Sequence, residues 1–152
     1  MTEAVQRSRE LFSSGFYCAE SVLTAVAEAL DVHCQLVPAI ATGFCSGLAR
    51  SAGPCGALTG AVLAVNLALG RHAPDESLEA CYEAIRELRE GFIARFGSDN
   101  CETLTSCHLG TPEGQDRFRE RNVHERCLDY VAGATELALE SIVRHSGTGG
   151  SA

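Results

Sequence analysis

The sequence predicts an all-α protein, a compact bundle of five or six helices around a buried central helix rich in glycine and alanine. Three features carry that reading. Apolar residues recur every three or four positions along most of the chain, the period of a helix with one buried face. No stretch alternates apolar and polar residues in the two-residue period of a half-buried strand. The run from Ala57 to Leu69 has no polar stripe, which marks a helix covered on nearly all sides.

Taken in order, Thr2 to Phe12 places Ala4, Val5, Ser8, Leu11 and Phe12 on one side, and Ser13-Ser-Gly15 breaks the helix. A second helix is predicted from Cys18 to about Leu30, with Cys18, Val22, Ala25, Val26 and Ala29 on its inward stripe. Leu36 to Thr42 reads as a short helical turn containing Pro38. It leads into a loop with Gly43, Gly47, Gly53 and Gly56, Cys45 and Cys55. Pro54 suits the first turn of a helix, where its missing N–H is not needed, so Cys55 is expected beside unpaired backbone N–H groups. The dipole of that helix would favour a thiolate there and lower its pKa. Gly56, Gly60, Ala64 and Ala68 then recur every fourth residue, a row almost without side chains that admits a close neighbour.

After the connector Arg71–Pro74, Asp75 to Phe96 is predicted to be a long helix. Leu78, Cys81, Ile85, Leu88 and Phe92 form its stripe, and Gly97 is the stop. Ser98-Asp-Asn-Cys101 resembles a cap, which starts a short turn through Leu104. His108 to Arg126 is polar and broken in its first part by Gly110, Pro112 and Gly114. Cys127 then opens a last helix with Val131, Ala134, Ala138 and Ser141 on one face. A single domain over residues 1–145 and a disordered tail over 146–152 are expected, the tail from its Gly, Ser, Thr and Ala content.

A formal net charge of -8, a pI near 5.0 and the absence of lysine argue against nucleic acid, so no nucleic-acid partner is expected. The Ala57–Leu69 run is shorter than the roughly 20 residues that span a bilayer. The polar start Met1-Thr-Glu lacks a signal-peptide core, which points to the cytoplasm. In a reducing compartment the 8 cysteines are not needed as disulfide staples; they bind metal, do redox chemistry or pack. No phosphate loop, serine elbow or carboxylate pair is visible.

Cys18, Cys55, Cys101 and Cys127 each fall at or near a predicted helix start. Converging helix N-termini would offset the repulsion within a four-thiolate metal site. Cys81 reads as a packing residue in mid-stripe. Cys34 and Cys107 carry no assigned role. His124, three residues before Cys127, reads as a solvated helix-end histidine and the arginines 117, 119, 121 and 126 as a solvated face.

In their order, Tyr17-Cys18-Ala19, the glycine-rich loop, Cys55-Gly-Ala-x-x-Gly60, Phe96-Gly-Ser-x-x-Cys101 and Cys127-x-x-Tyr-Val131 resemble the C_GCAxxG_C_C family of redox-active proteins over roughly residues 8–142. The resemblance implies one site made of Cys18, Cys55, Cys101 and Cys127, in a small bacterial or archaeal protein often encoded near transporters. Related domains joined to haem-bearing segments imply electron transfer; this chain has no C-x-x-C-H, so no covalent haem is expected. Cys45 stands where family members tend to carry glycine, which leaves a fifth thiol open at the site.

Three functions compete on these grounds. An iron–sulfur electron-transfer or redox-sensing protein suits thiolate-only ligation by the four cysteines. A thiol/disulfide oxidoreductase could use the same cysteines but lacks the usual C-x-x-C. A structural zinc site or transporter-associated scaffold is the third, although zinc usually takes cysteines paired at short spacing. The redox partner, a membrane transporter among the candidates, and a homodimer remain open from sequence.

Overall fold

The computed structural model describes residues 2–147 and contains, among them, eight helical segments and a 3-10 turn with no strand. The long helices are α1 (Thr2–Ser13), α2 (Cys18–Ala29), α4 (Gly56–Leu69), α5 (Glu79–Phe96) and α8 (Val123–His145). Between them lie the 3-10 turn Ala39–Phe44 and the short segments α3 (Cys45–Arg50), α6 (Cys101–Thr105) and α7 (Pro112–Glu120). The all-α class stands. The helix count exceeds the expected five or six because these short segments are separate elements packed around one end of the bundle.

Helix α4 packs against α2, α8 and α5, and α1 closes the bundle against α2 and α8. The α2–α4 contact depends on Gly60. A Cβ at that position would stand 2.5 Å from the Ala19 carbonyl oxygen and 2.7 Å from its Cα, so the α2 backbone occupies the space a side chain would need. Ala57, Ala61 and Ala64 are fully buried beside it. The expectation of a helix covered on nearly all sides holds for the N-terminal half of α4 only. Val62, Leu63, Leu67 and Leu69 are half-buried and Asn66 and Ala68 are exposed, because three neighbouring helices do not enclose a fourth side.

Other boundaries follow local chemistry. Helix α5 begins at Glu79, later than predicted, and ends where Gly97 adopts φ +94° and its N–H reaches the Ile93 carbonyl. Its buried stripe is Cys81, Ala84, Leu88 and Phe92. Ser141 donates to the Ala84 carbonyl across 2.7 Å, which ties α8 to α5. Cys81 is buried as expected of a packing residue, and its thiol also donates to Asn66 Oδ1 at 3.4 Å. The predicted tail falls largely on residues 148–152, outside the described residues.

The close approach at Gly60 makes Gly60→Ala destabilising by about 1–3 kcal/mol, since the clashing atoms are backbone and cannot rotate away. Gly43→Ala, where a Cβ would meet nothing within 4 Å, is the control and should change stability by no more than ~0.5 kcal/mol. Urea unfolding of both variants checks this.

Candidate functional site

The end of the bundle that carries the N-termini of α2, α4 and α6 encloses a cavity of about 200 Å³. Cys18, Cys55, Cys101 and Cys127 all line it. The fold places each one differently. Cys18 is the first residue of α2, held where Tyr17 N–H donates to the Glu20 carboxylate at 2.8 Å. Cys55 is the N-cap of α4, one position earlier than the first turn expected for it. Cys101 is the first residue of α6, which Asn100 caps by accepting from Thr103 N–H at 3.0 Å. Cys127 does not open α8: that helix starts at Val123, so Cys127 sits a turn inside it. Three of the four cysteines are therefore helix-start residues.

Cys55 and Cys101 are locked together by the backbone. Pro54 and Asn100 form an isolated antiparallel bridge, in which Cys55 N–H donates to the Asp99 carbonyl at 2.7 Å and Cys101 N–H to the Gly53 carbonyl at 3.0 Å. Asn100 Nδ2 donates to the Ala52 carbonyl at 2.8 Å and fixes the same junction. Against it lies α3, which is a left-handed turn: Ser46 to Arg50 have φ between +55° and +67°. Left-handed backbone costs L-residues roughly 1–2 kcal/mol each, so contacts around the site must hold this turn in place. Gly47 lets it approach Cys101, because a Cβ there would stand 2.6 Å from Cys101 Cβ and 3.1 Å from its sulfur.

The remaining wall is apolar and aromatic, with Phe12, Tyr17, Ala57, Leu104, Phe118 and Tyr130. Tyr130 hydroxyl donates to the Leu104 carbonyl at 3.1 Å. His124 is half-buried, lines the cavity and stacks on Phe12 with ring centroids 4.5 Å apart, so it is not the solvated residue expected. The arginines are not a simple solvated face either. Arg126 donates to the Leu104 and Thr105 carbonyls and Arg117 to the Ser106 carbonyl, binding the otherwise open C-terminal end of α6. Arg119, paired with Asp116, reaches the cavity. Sequence reasoning missed α7 as a wall of the site; Thr111-Pro112, an N-cap followed by proline at the first helical position, was its signal, with Phe118 the one aromatic in a charged stretch.

Burial, rather than the helix dipole, governs the thiols. Cys55 is pushed up to about 11 by desolvation, against the opposing pull of the Ala57 and Leu58 N–H groups. Cys127 is pushed up to about 12, by burial and then by the neighbouring Cys55 and Cys101 thiols. Burial also raises Cys101, with Thr105 opposing it. The expected lowering at Cys55 is therefore reversed: two N–H groups do not repay the loss of water around a buried sulfur. Cys107 is buried behind the wall with its thiol donating to the Thr105 carbonyl at 3.4 Å, and Cys34 lies away from the cavity in a shallow groove beside Val32 and Val37. Cys45 is buried, and its Cys18 neighbour, followed by burial itself, holds its thiol well above the ordinary range. All eight cysteines are free thiols.

Raised folded-state pKa values mean that the unfolded chain releases these protons first, so stability is full below pH ~9 and falls as pH rises toward about 11. For the reduced, metal-free protein the expected loss is of order 1 kcal/mol per pH unit per buried thiol in that window. Urea unfolding at successive pH values measures it, and a flat profile there would show that these thiols are solvated.

No helix among the described residues is long and apolar enough to cross a membrane. An uncharacterised protein of Archaeoglobus fulgidus is 28% identical over 149 residues, covering 92% of this chain and 93% of its own. No solved structure matches. The family model described as "Putative redox-active protein (C_GCAxxG_C_C)" matches residues 16–141, a span that holds all four cavity cysteines. The chain belongs to the C_GCAxxG_C_C family.

Proposed function

We propose that this protein is an electron-transfer or redox-sensing protein whose centre is an iron–sulfur cluster held by Cys18, Cys55, Cys101 and Cys127. The observation that carries the reading is that these four thiols, distant in sequence, line one cavity of about 200 Å³. The donor set fits, since thiolates alone are the usual ligands of such clusters. Structural zinc usually takes cysteines paired at short sequence spacing, and no two of these four stand close together in the chain, which argues for a cluster over a structural zinc site.

When bound, the cluster would supply one-electron exchange. The chain's part is to hold four sulfurs, exclude water and balance charge. Phe12, Ala57, Leu104 and Tyr130 give the site apolar walls, which disfavour added negative charge. The Ala57 and Leu58 N–H groups face the Cys55 sulfur and partly offset the charge of its thiolate. Because burial raises the Cys55, Cys101 and Cys127 thiols in the metal-free protein, metal binding must displace their protons and strengthens with pH.

Purified without oxygen, the protein should hold iron and inorganic sulfide and absorb visible light. Cys55→Ser should lose most of that absorption, because one of four ligands is gone. Cys81→Ser should keep it, because Cys81 pairs with Asn66 outside the cavity. A colourless protein that takes up stoichiometric zinc instead would replace this reading with a structural one.

A further inference from the structure

We propose that Cys18 and Cys45 form a dithiol–disulfide couple of their own, which exchanges with a small anionic disulfide entering the cavity. Cys45 lies outside the four-cysteine set and does not line the cavity, yet the fold brings it to Cys18. The meeting point is Gly56: a Cβ there would stand 2.3 Å from the Cys18 sulfur, 2.9 Å from the Phe44 carbonyl oxygen and 3.2 Å from Cys45 Cα. With no side chain at Gly56, the Cys18 sulfur and the Cys45 backbone share the one gap, and Cys18 is the neighbour that raises the Cys45 thiol most. Thr42 hydroxyl, donating to the Glu20 carboxylate at 2.9 Å, pins the segment before Cys45 to the first turn of α2 that carries Cys18.

Their exposure divides the labour. Cys18 is half-buried and lines the cavity, so an incoming disulfide reaches its sulfur. Cys45 is 4% exposed, with its sulfur 3.7 Å from the Ala41 carbonyl, so it meets Cys18 but not solvent. Arg50 and Arg119 flank the same cavity from exposed positions and suit a disulfide that bears carboxylates, as oxidised glutathione does. In the first step the Cys18 thiolate attacks one sulfur of the glutathione disulfide, forming a mixed disulfide and releasing one glutathione thiolate. In the second the Cys45 sulfur, freed of the Cys18 thiol that was the main cause holding its proton, attacks the Cys18 sulfur and passes its proton to the glutathione thiolate it releases. The two thiol protons go to the two glutathione thiolates; the protein loses two electrons and the glutathione disulfide gains them. The couple needs no metal. If Cys18 also serves the cluster proposed above, the new bond takes one ligand out of four.

The test uses the full chain, reduced, freed of metal by chelation and treated with oxidised glutathione. The expected product has lost two hydrogens and carries no adduct. Cleavage after glutamate and arginine separates Cys18 from Cys45 and Cys55, and tandem mass spectra should show the bond between Cys18 and Cys45. Cys45→Ser should instead retain glutathione on Cys18. Wild-type kinetics give a readout independent of how that variant folds: the mixed disulfide should decay at a rate that does not depend on glutathione disulfide concentration, because the second step is intramolecular. A stable adduct on wild-type Cys18, closure of Cys18 onto Cys55, Cys101 or Cys127, or no reaction would each overturn the proposal. None of these readouts involves iron, so failure here is distinct from failure of the cluster.

Discussion

The structure depends on two helices crossing with no side chain between them. At Gly60 the backbone of α2 lies where a Cβ would be, and one turn earlier, at Gly56, the Cys18 sulfur fills the equivalent space. Because the same row of small residues sets both contacts, the approach that packs the core also delivers the first residue of α2 to the N-terminus of α4. Cys55 is the cap of that helix, so a packing constraint places two of the four cavity cysteines. The bridge between Pro54 and Asn100 adds Cys101, and α8, packed along α4, adds Cys127. Stability and site are therefore one arrangement, and neither glycine can be enlarged without disturbing both.

The electrostatics follow from the same closeness. A helix N-terminus favours a thiolate, but only if burial does not remove more solvation than the N–H groups restore. Around Cys55 burial wins, and the thiol stays protonated at neutral pH. Such a thiol is a poor nucleophile and a good ligand in waiting, since a bound cation supplies the charge that water no longer does. Cys18 differs in standing partly in solvent with a second thiol against it. One cavity thus holds sulfurs of two degrees of burial, the basis of the two redox roles proposed for it.

Much of this was legible in the residues. Helical periodicity gave α1, α2 and α5, Gly97 the end of α5, and the glycine row of α4 the close approach. The four cysteines that line the cavity stood out because each lies near a predicted helix start, and order and spacing tied the chain to one family. Other features were not legible, for physical reasons. The left-handed backbone of Ser46–Arg50 is held by tertiary contacts and contradicts the local preferences of Leu48 and Ala49. α7 is too polar to show an apolar stripe, although its Phe118 reaches the cavity. The rise in the Cys55 pKa depends on burial, and the Cys18–Cys45 contact on a gap at Gly56, both properties of the folded chain. The exposed fourth side of α4 could not be foreseen from a run with no polar stripe, because hydropathy does not count neighbours.

The central claim is that four sulfurs facing one cavity constitute a single metal-binding centre. X-ray absorption at the iron edge, on protein reconstituted anaerobically with iron and sulfide, tests it most directly. The expected spectrum shows a first shell of sulfur alone, with an iron–iron distance behind it, and both features are lost when Cys101 is replaced by serine. A first shell of oxygen or nitrogen, or iron that washes off the wild-type protein as readily as off that variant, would contradict the account.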